Sequence, residues 1–177
     1  MARLPRFHDT RPAQGPGSLG GAAALACAGR FLDKEGLDEV RDPESLRLAL
    51  AAVDGVDPSG DIGVSELVLL ATHWGMEAVP RTDRPTNLSR DIQRATRSGH
   101  PVLMCWEPRR MGLASPGDHP EHWSLVVEWP DDDRQPLILT DGSLAGGSSH
   151  GLRQRWSLEE LIRRGGLGWR SQWIFLR

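Results

Sequence analysis

The stretch from Ala22 to Leu32 constrains the fold more than any other part of the chain. Ala22, Ala23, Ala24, Leu25, Ala26, Cys27, Ala28 and Phe31 leave almost no polar stripe along it. A helix that is apolar nearly all the way round has no face to turn to water, so other elements must cover it on all sides. A chain of 177 residues is long enough to build the core that does this. Residues 1–19 are rich in Pro and Gly and read as extended or looped.

The next segments supply helical cover. In "DPESLRLALAAV", Asp42 is placed to cap a helix, Pro43 sits at its first position and an apolar run follows. "GVSELVLLATHWG" predicts another helix, stopped by Gly75. "NLSRDIQRATRSG" predicts a more polar amphipathic helix ending at Gly99. The pattern then changes. Residues 101–106, 122–129, 135–140 and 171–176 read as strands. A short helix over 157–165 carries a capping box, Ser157 with Glu160. Helices first and an antiparallel sheet afterwards predict an α+β fold. With no internal repeat and no long linker, residues 1–177 read as a single domain.

Composition removes several function classes. The net charge is −3, so no basic field points to nucleic acid or to an acidic membrane surface. Lys34 is the only lysine, tyrosine is absent and there are seven tryptophans, a bias expected from coding composition. Cys27 and Cys105 lack zinc-like spacing and predict free thiols. "MARLPRFHDT" offers no apolar run for a signal peptide or a membrane span, which predicts a cytoplasmic protein.

The chemistry-bearing candidates begin with the hairpin "HWSLVVEWPDDDRQPLILTDG". A two-residue turn at Asp131–Asp132 would pair Val126 with Leu137, Ser124 with Leu139 and His122 with Asp141. Opposed residues share a face with Cβ atoms ~4.5–5.5 Å apart. A carboxylate there can accept the imidazole Nδ1–H and leave Nε2 free as a base. A turn one residue longer breaks this pairing. Upstream, Gln14 precedes Gly20 by six residues, and Gly20 heads the apolar helix. A nucleophile at a helix N-terminus gains from the helix dipole. A nearby glutamine can donate to a developing oxyanion.

The order of glutamine, buried helix, strand-borne histidine and aspartate resembles papain-like cysteine peptidases, in particular the bacterial branch of double-glycine leader peptidases that process bacteriocins. "GGAAALACAGRFLD" is similar to that branch's cysteine-glycine-small-small helix, with Gly20 where the cysteine would stand. "GVSELVLLATHWGMEAVP" resembles its second helix and following strand. "GHPVLMCWE", "HWSLVVEW", "LILTDG" and "WSLEELIRR" with "QWIFL" follow the same order, so the resemblance covers roughly residues 10–177. It implies a central buried helix packed on an antiparallel sheet. It also implies that Gln14 is the oxyanion donor, His122 the general base, Asp141 its orienting partner and Gly20 the vacant nucleophile position. Glycine carries no atom that can attack a carbonyl.

Three readings of function follow. The first is a pseudopeptidase that binds a peptide or protein partner without cutting and uses no cofactor. The second is a cysteine peptidase whose nucleophile has been exchanged at position 20. The third is a metal-binding protein built on His119 and His122, with Asp118, Glu121, Asp141 and His150 as further donors. Cys27 and Cys105 fall in apolar segments and read as small buried hydrophobes. Ser18 lies two residues short of the helix start. Placing Gln14 itself in the nucleophile slot leaves no oxyanion glutamine. "DGVDPSGDIG" lacks the glycine and terminal glutamate of a calcium loop and reads as a polar turn. "PDDDR" is a solvated turn, and "GSLAGGSSHG" a connector after Asp141.

Overall fold

The computed structural model describes residues 20–40, 43–59, 62–112, 122–129, 136–140, 153–168 and 170–177. Five helices are present among them: α1 (Gly20–Phe31), α2 (Pro43–Ala51), α3 (Val64–His73), α4 (Pro85–Arg97) and α5 (Leu158–Arg163). Six strands accompany them: β1 (Ala78–Asp83), β2 (Val102–Trp106), β3 (His122–Glu128), β4 (Pro136–Thr140), β5 (Arg153–Ser157) and β6 (Ser171–Leu176). They form one antiparallel sheet in the order β1-β6-β2-β3-β4-β5. The α+β class and the helix-on-sheet packing expected from the sequence are both present.

Strand alternation gives the sheet two apolar faces. Leu103, Cys105, Trp123, Leu125, Ile174 and Leu176 face the core shared with α1, α2 and α3. Val102, Met104, Trp106, Val126 and Trp173 face a second core completed by Leu88 and Ile92 of α4 and by Leu158 and Leu161 of α5. The central helix meets the demand its sequence makes: Ala22, Leu25, Ala26 and Ala28 have no exposed surface. Among its neighbours α1 lies against both β3 and α3.

Local signals set the element ends. At α5, Ser157 Oγ accepts the Glu160 N–H at 3.1 Å, the expected cap. At α3, the Gly63 N–H donates to the Glu66 carboxylate at 3.1 Å. The polar helix α4 starts earlier than its amphipathic pattern suggests, because Pro85 occupies its first position. Two elements have no strong sequence pattern. β1 is mostly exposed along its length. β5 reads Arg-Gln-Arg-Trp-Ser and lacks an apolar run.

The β3–β4 register corrects the expected hairpin. Val126 lies opposite Leu139 and Leu125 opposite Thr140, two residues away from the pairing a turn at Asp131–Asp132 would impose. The register also shifts between Val126 and Glu128, which lies opposite Ile138. A bulge inserts a residue into one strand and sharpens its twist. Just beyond it, Trp129 is anchored in the second core, its Nε1–H donating to Ser89 Oγ of α4 at 3.2 Å. That anchor holds the end of β3 on α4.

Gly29 is required by close approach. A Cβ there would collide with Leu37 Cδ1 and lie 3.2 Å from the Met76 methyl, and both residues are buried. Gly29→Ala therefore destabilises the fold by about 1–3 kcal/mol through overpacking, despite the better helix propensity of alanine. Urea unfolding should show a lower midpoint with an unchanged slope.

At the β1–α4 junction, Asp83 accepts the Arg84 N–H at 2.7 Å and the Asn87 side-chain N–H at 3.0 Å. These hydrogen bonds, the Arg84 backbone bond first, hold its carboxyl below the usual aspartate range, and Arg81 and Arg84 add to the effect. The folded chain therefore binds this proton less readily than the unfolded chain. The contribution is complete above the unfolded value and disappears as pH falls through the folded one. Asp83→Asn should lower stability at neutral pH, and its difference from the parent should vanish in strong acid. Urea titrations at a series of pH values measure this directly.

Candidate functional site

The first turn of α1 is built for contact without side chains. Gly20 and Gly21 are both buried. A Cβ at Gly21 would lie 3.0 Å from Trp123 Cδ1 and 3.3 Å from both methyls of Leu67. The helix backbone therefore rests directly on Trp123 of β3 and Leu67 of α3. This brings the start of α1 to the start of β3, where His122 is the first residue.

His122 itself is held on the other face of the strand. It lies opposite Trp106 in the β2–β3 ladder and is only 8% exposed. Its ring meets the Trp106 indole edge-on, with centroids 6.2 Å apart and planes at 84°. Ser124, next on that face, accepts the Trp106 Nε1–H at 2.8 Å with both groups buried. Trp106 is thus fixed by one hydrogen bond and forms a rigid wall against the imidazole. Trp123 points to the α1 side, as alternation along a strand requires.

Among the expected site residues, Gly20 and His122 are described and stand at the starts of neighbouring elements. Gln14 and Asp141 lie outside the described residues, as do Ser18, Asp118, His119, Glu121 and His150. The direct opposition of His122 and Asp141 loses its basis in the tight-turn register, since Leu125–Thr140 is the last described pair before Asp141. Cys27 and Cys105 are both buried in the α1-side core and are not joined in a disulfide, in keeping with their reading as small hydrophobes. No group of three or more His, Cys, Asp or Glu side chains converges among the described residues. The Trp106–Ser124 bond was missed by sequence reasoning. The signal for it is a serine inside the otherwise apolar run "HWSLVVEW", since a buried hydroxyl needs a partner.

The fold has counterparts among solved structures. A double-glycine-motif protease from an AMS/PCAT transporter, determined in complex with the leader peptide, superposes with a TM-score of 0.55 at 17% identity, over 98% of this chain and 96% of that one. The peptidase domain of Streptococcus mutans ComA gives 0.54 at 16% identity, over 95% and 98%. A Bacillus anthracis protein described as a C39-like peptidase gives 0.59 at 12% identity, over 97% and 96%. No family model matches the chain, and no curated protein matches it. The fold is that of the papain-like, C39-type peptidase domains. No described helix is long and apolar enough to cross a membrane.

The buried Trp106–Ser124 pair makes a quantitative prediction. Ser124→Ala leaves a buried indole N–H without its acceptor and costs about 1–3 kcal/mol. Trp106→Phe in the Ser124→Ala background should show a coupling of about 0.5–3 kcal/mol in a double-mutant cycle read by urea unfolding.

Proposed function

We propose that this chain is a pseudopeptidase: a leader-peptidase-type fold that holds a peptide or protein partner in its cleft and does not cut it. The observation that carries the reading is the residue at the head of the buried helix. Gly20 begins α1, beside the strand that His122 begins, in a fold shared with peptidases. A covalent mechanism needs a nucleophilic oxygen, sulfur or nitrogen there, and glycine has none. Cys27 and Cys105 lie in the core and offer no substitute.

In this reading His122 occupies the general-base position in the chain order, with its imidazole turned to Trp106 on the face away from α1, so that it must swing toward Gly20 to act; Asp141 is its orienting carboxylate and Gln14 the oxyanion donor, all lacking a nucleophile to serve. The start of α1 keeps its backbone N–H groups and the positive end of its dipole, which favour a peptide carbonyl. A glycine in place of a thiol also leaves space for the peptide backbone to sit closer to the helix. The transporter protease solved with its leader peptide supports a peptide as the occupant of the equivalent cleft. No metal or cofactor is needed for such binding, and the protein is proposed to act as one domain in the cytoplasm of a bacterial cell.

The test restores the missing atom. Iodoacetamide labelling of Gly20→Cys is followed by mass spectrometry across pH, with Gly20→Cys/His122→Ala as control. The expected result is a labelling step well below the free-thiol value of ~8.5, lost in the control. Unmodified protein should leave test peptides intact over the same period. A thiol with an unshifted step overturns the catalytic ancestry on which the reading rests, and cleavage by the unmodified chain overturns its inactivity.

A further inference from the structure

A second concavity lies on the opposite face of the sheet from α1, between α4 and the two strands at the β1 end. Its volume is about 440 Å³, within the range of small-molecule sites. Asp91, Arg94, Ala95 and Ser98 recur at helical spacing, so one face of α4 makes the wall. Val79 and Arg81 on β1, with Phe175 on β6 and Arg177 just after it, alternate along the chain and make the floor. The cleft exists because α4 packs toward β2, β3 and β6 and leaves the edge strand uncovered.

Its charges are unequally committed. Arg81 spans the cleft from sheet to helix, with Nη1 2.7 Å from Asp91 Oδ2 and its guanidinium 5.9 Å from the Phe175 ring centre. Arg177 is tied to Glu77 at 2.8 Å. Arg94 is exposed, lines the same cleft and has no ion-pair or hydrogen-bond partner for its side chain among the described residues. His100 also lines it, with no side-chain partner among the described residues. The lining therefore offers three guanidinium groups against the single carboxylate of Asp91, around a half-buried phenyl ring.

We propose that this cleft binds a small organic anion, a carboxylate carried on a ring-sized apolar body. The body lies over Phe175 and Val79, where it removes apolar surface from water. The carboxylate meets Arg94, whose planar fork matches it with two parallel hydrogen bonds. Arg81 is fixed by Asp91 and shapes the site. Neither an inorganic anion nor a neutral ring satisfies both halves of the cleft. The inference is independent of the state of position 20.

The full chain, labelled with ¹⁵N, is titrated with 2-naphthoate, with 2-naphthamide and with inorganic phosphate. Saturable shifts at the Ala95, Ser98 and His100 amides are expected with naphthoate. The neutral amide and phosphate should each bind at least about tenfold more weakly, and Arg94→Gln should weaken naphthoate by about the same factor, the scale of a charge-assisted contact. Preserved shifts elsewhere show that the variant is folded. Absence of saturation at millimolar naphthoate overturns the proposal, as does equal binding of naphthamide, equal binding of phosphate, or an Arg94→Gln variant that binds naphthoate unchanged.

Discussion

Everything else in the molecule depends on the close approach of the first turn of α1 to Trp123 and Leu67. At Gly21 a Cβ would crowd an indole edge at 3.0 Å and two methyl groups at 3.3 Å, so the neighbours would have to give way. Packed interiors tolerate little extra volume, so this contact fixes how deeply the helix sits and where its first residue falls. The two glycines at the head of the helix therefore differ in kind. Gly21 answers a steric demand from β3 and α3. Gly20 heads the helix, and in the proposed reading its lack of a side chain is what would separate a binding cleft from a cutting one.

The sheet divides the protein's polar work between its faces. Toward α1 the contacts are almost wholly apolar, which suits a helix with no polar stripe. Toward α4 and α5 the tryptophans use their polar tips: Trp106 donates to Ser124 and Trp129 to Ser89. Each bond holds a large ring in one orientation, so burial of a wide apolar area comes with a defined geometry. Trp173 is the contrast. It is fully buried, its Nε1 has no hydrogen-bond partner among the described residues, and it packs edge-on against Trp129 at 6.1 Å. The packing around that ring offsets a desolvation cost that the other two avoid. His122 stands at the end of this ordered aromatic face, which limits the orientations its imidazole can take.

Much of this architecture was legible in the chain. The all-round apolarity of α1 required burial on every side, and the apolar runs of β2, β3 and β6 announced central strands. Ser157 and Glu160 marked the start of α5 through local hydrogen bonding alone. The failures share a cause. β5 carries few apolar residues, because it lies at the edge of the sheet and its pairing comes from its neighbour, not from its own pattern; β1, at the other edge, was anticipated only through the family resemblance. The β3–β4 register lies two residues from the one the acidic run suggested, and the end of β3 carries a tertiary anchor, Trp129 on Ser89, that no local pattern announces. For the site, the position of Gly20 at the head of a buried helix and of His122 at the head of a strand could be anticipated. That the imidazole would face Trp106, not α1, depended on strand alternation combined with which face the helix chose.

The edge of the sheet also decides what kind of recognition the second cleft can perform. An exposed edge strand invites another chain to extend the sheet through main-chain hydrogen bonds. β1 discourages this. Pro80 at its centre has no N–H to offer, and its inner positions are exposed and carry Arg81 and Thr82 beside it. Recognition at this end must then come from side chains above the sheet, and these are cations around an aromatic floor. Geometry so arranged selects by charge and ring size, whereas the peptide proposed for the α1 end would be met by backbone donors at the head of that helix. The two proposed sites thus call for ligands of different chemistry.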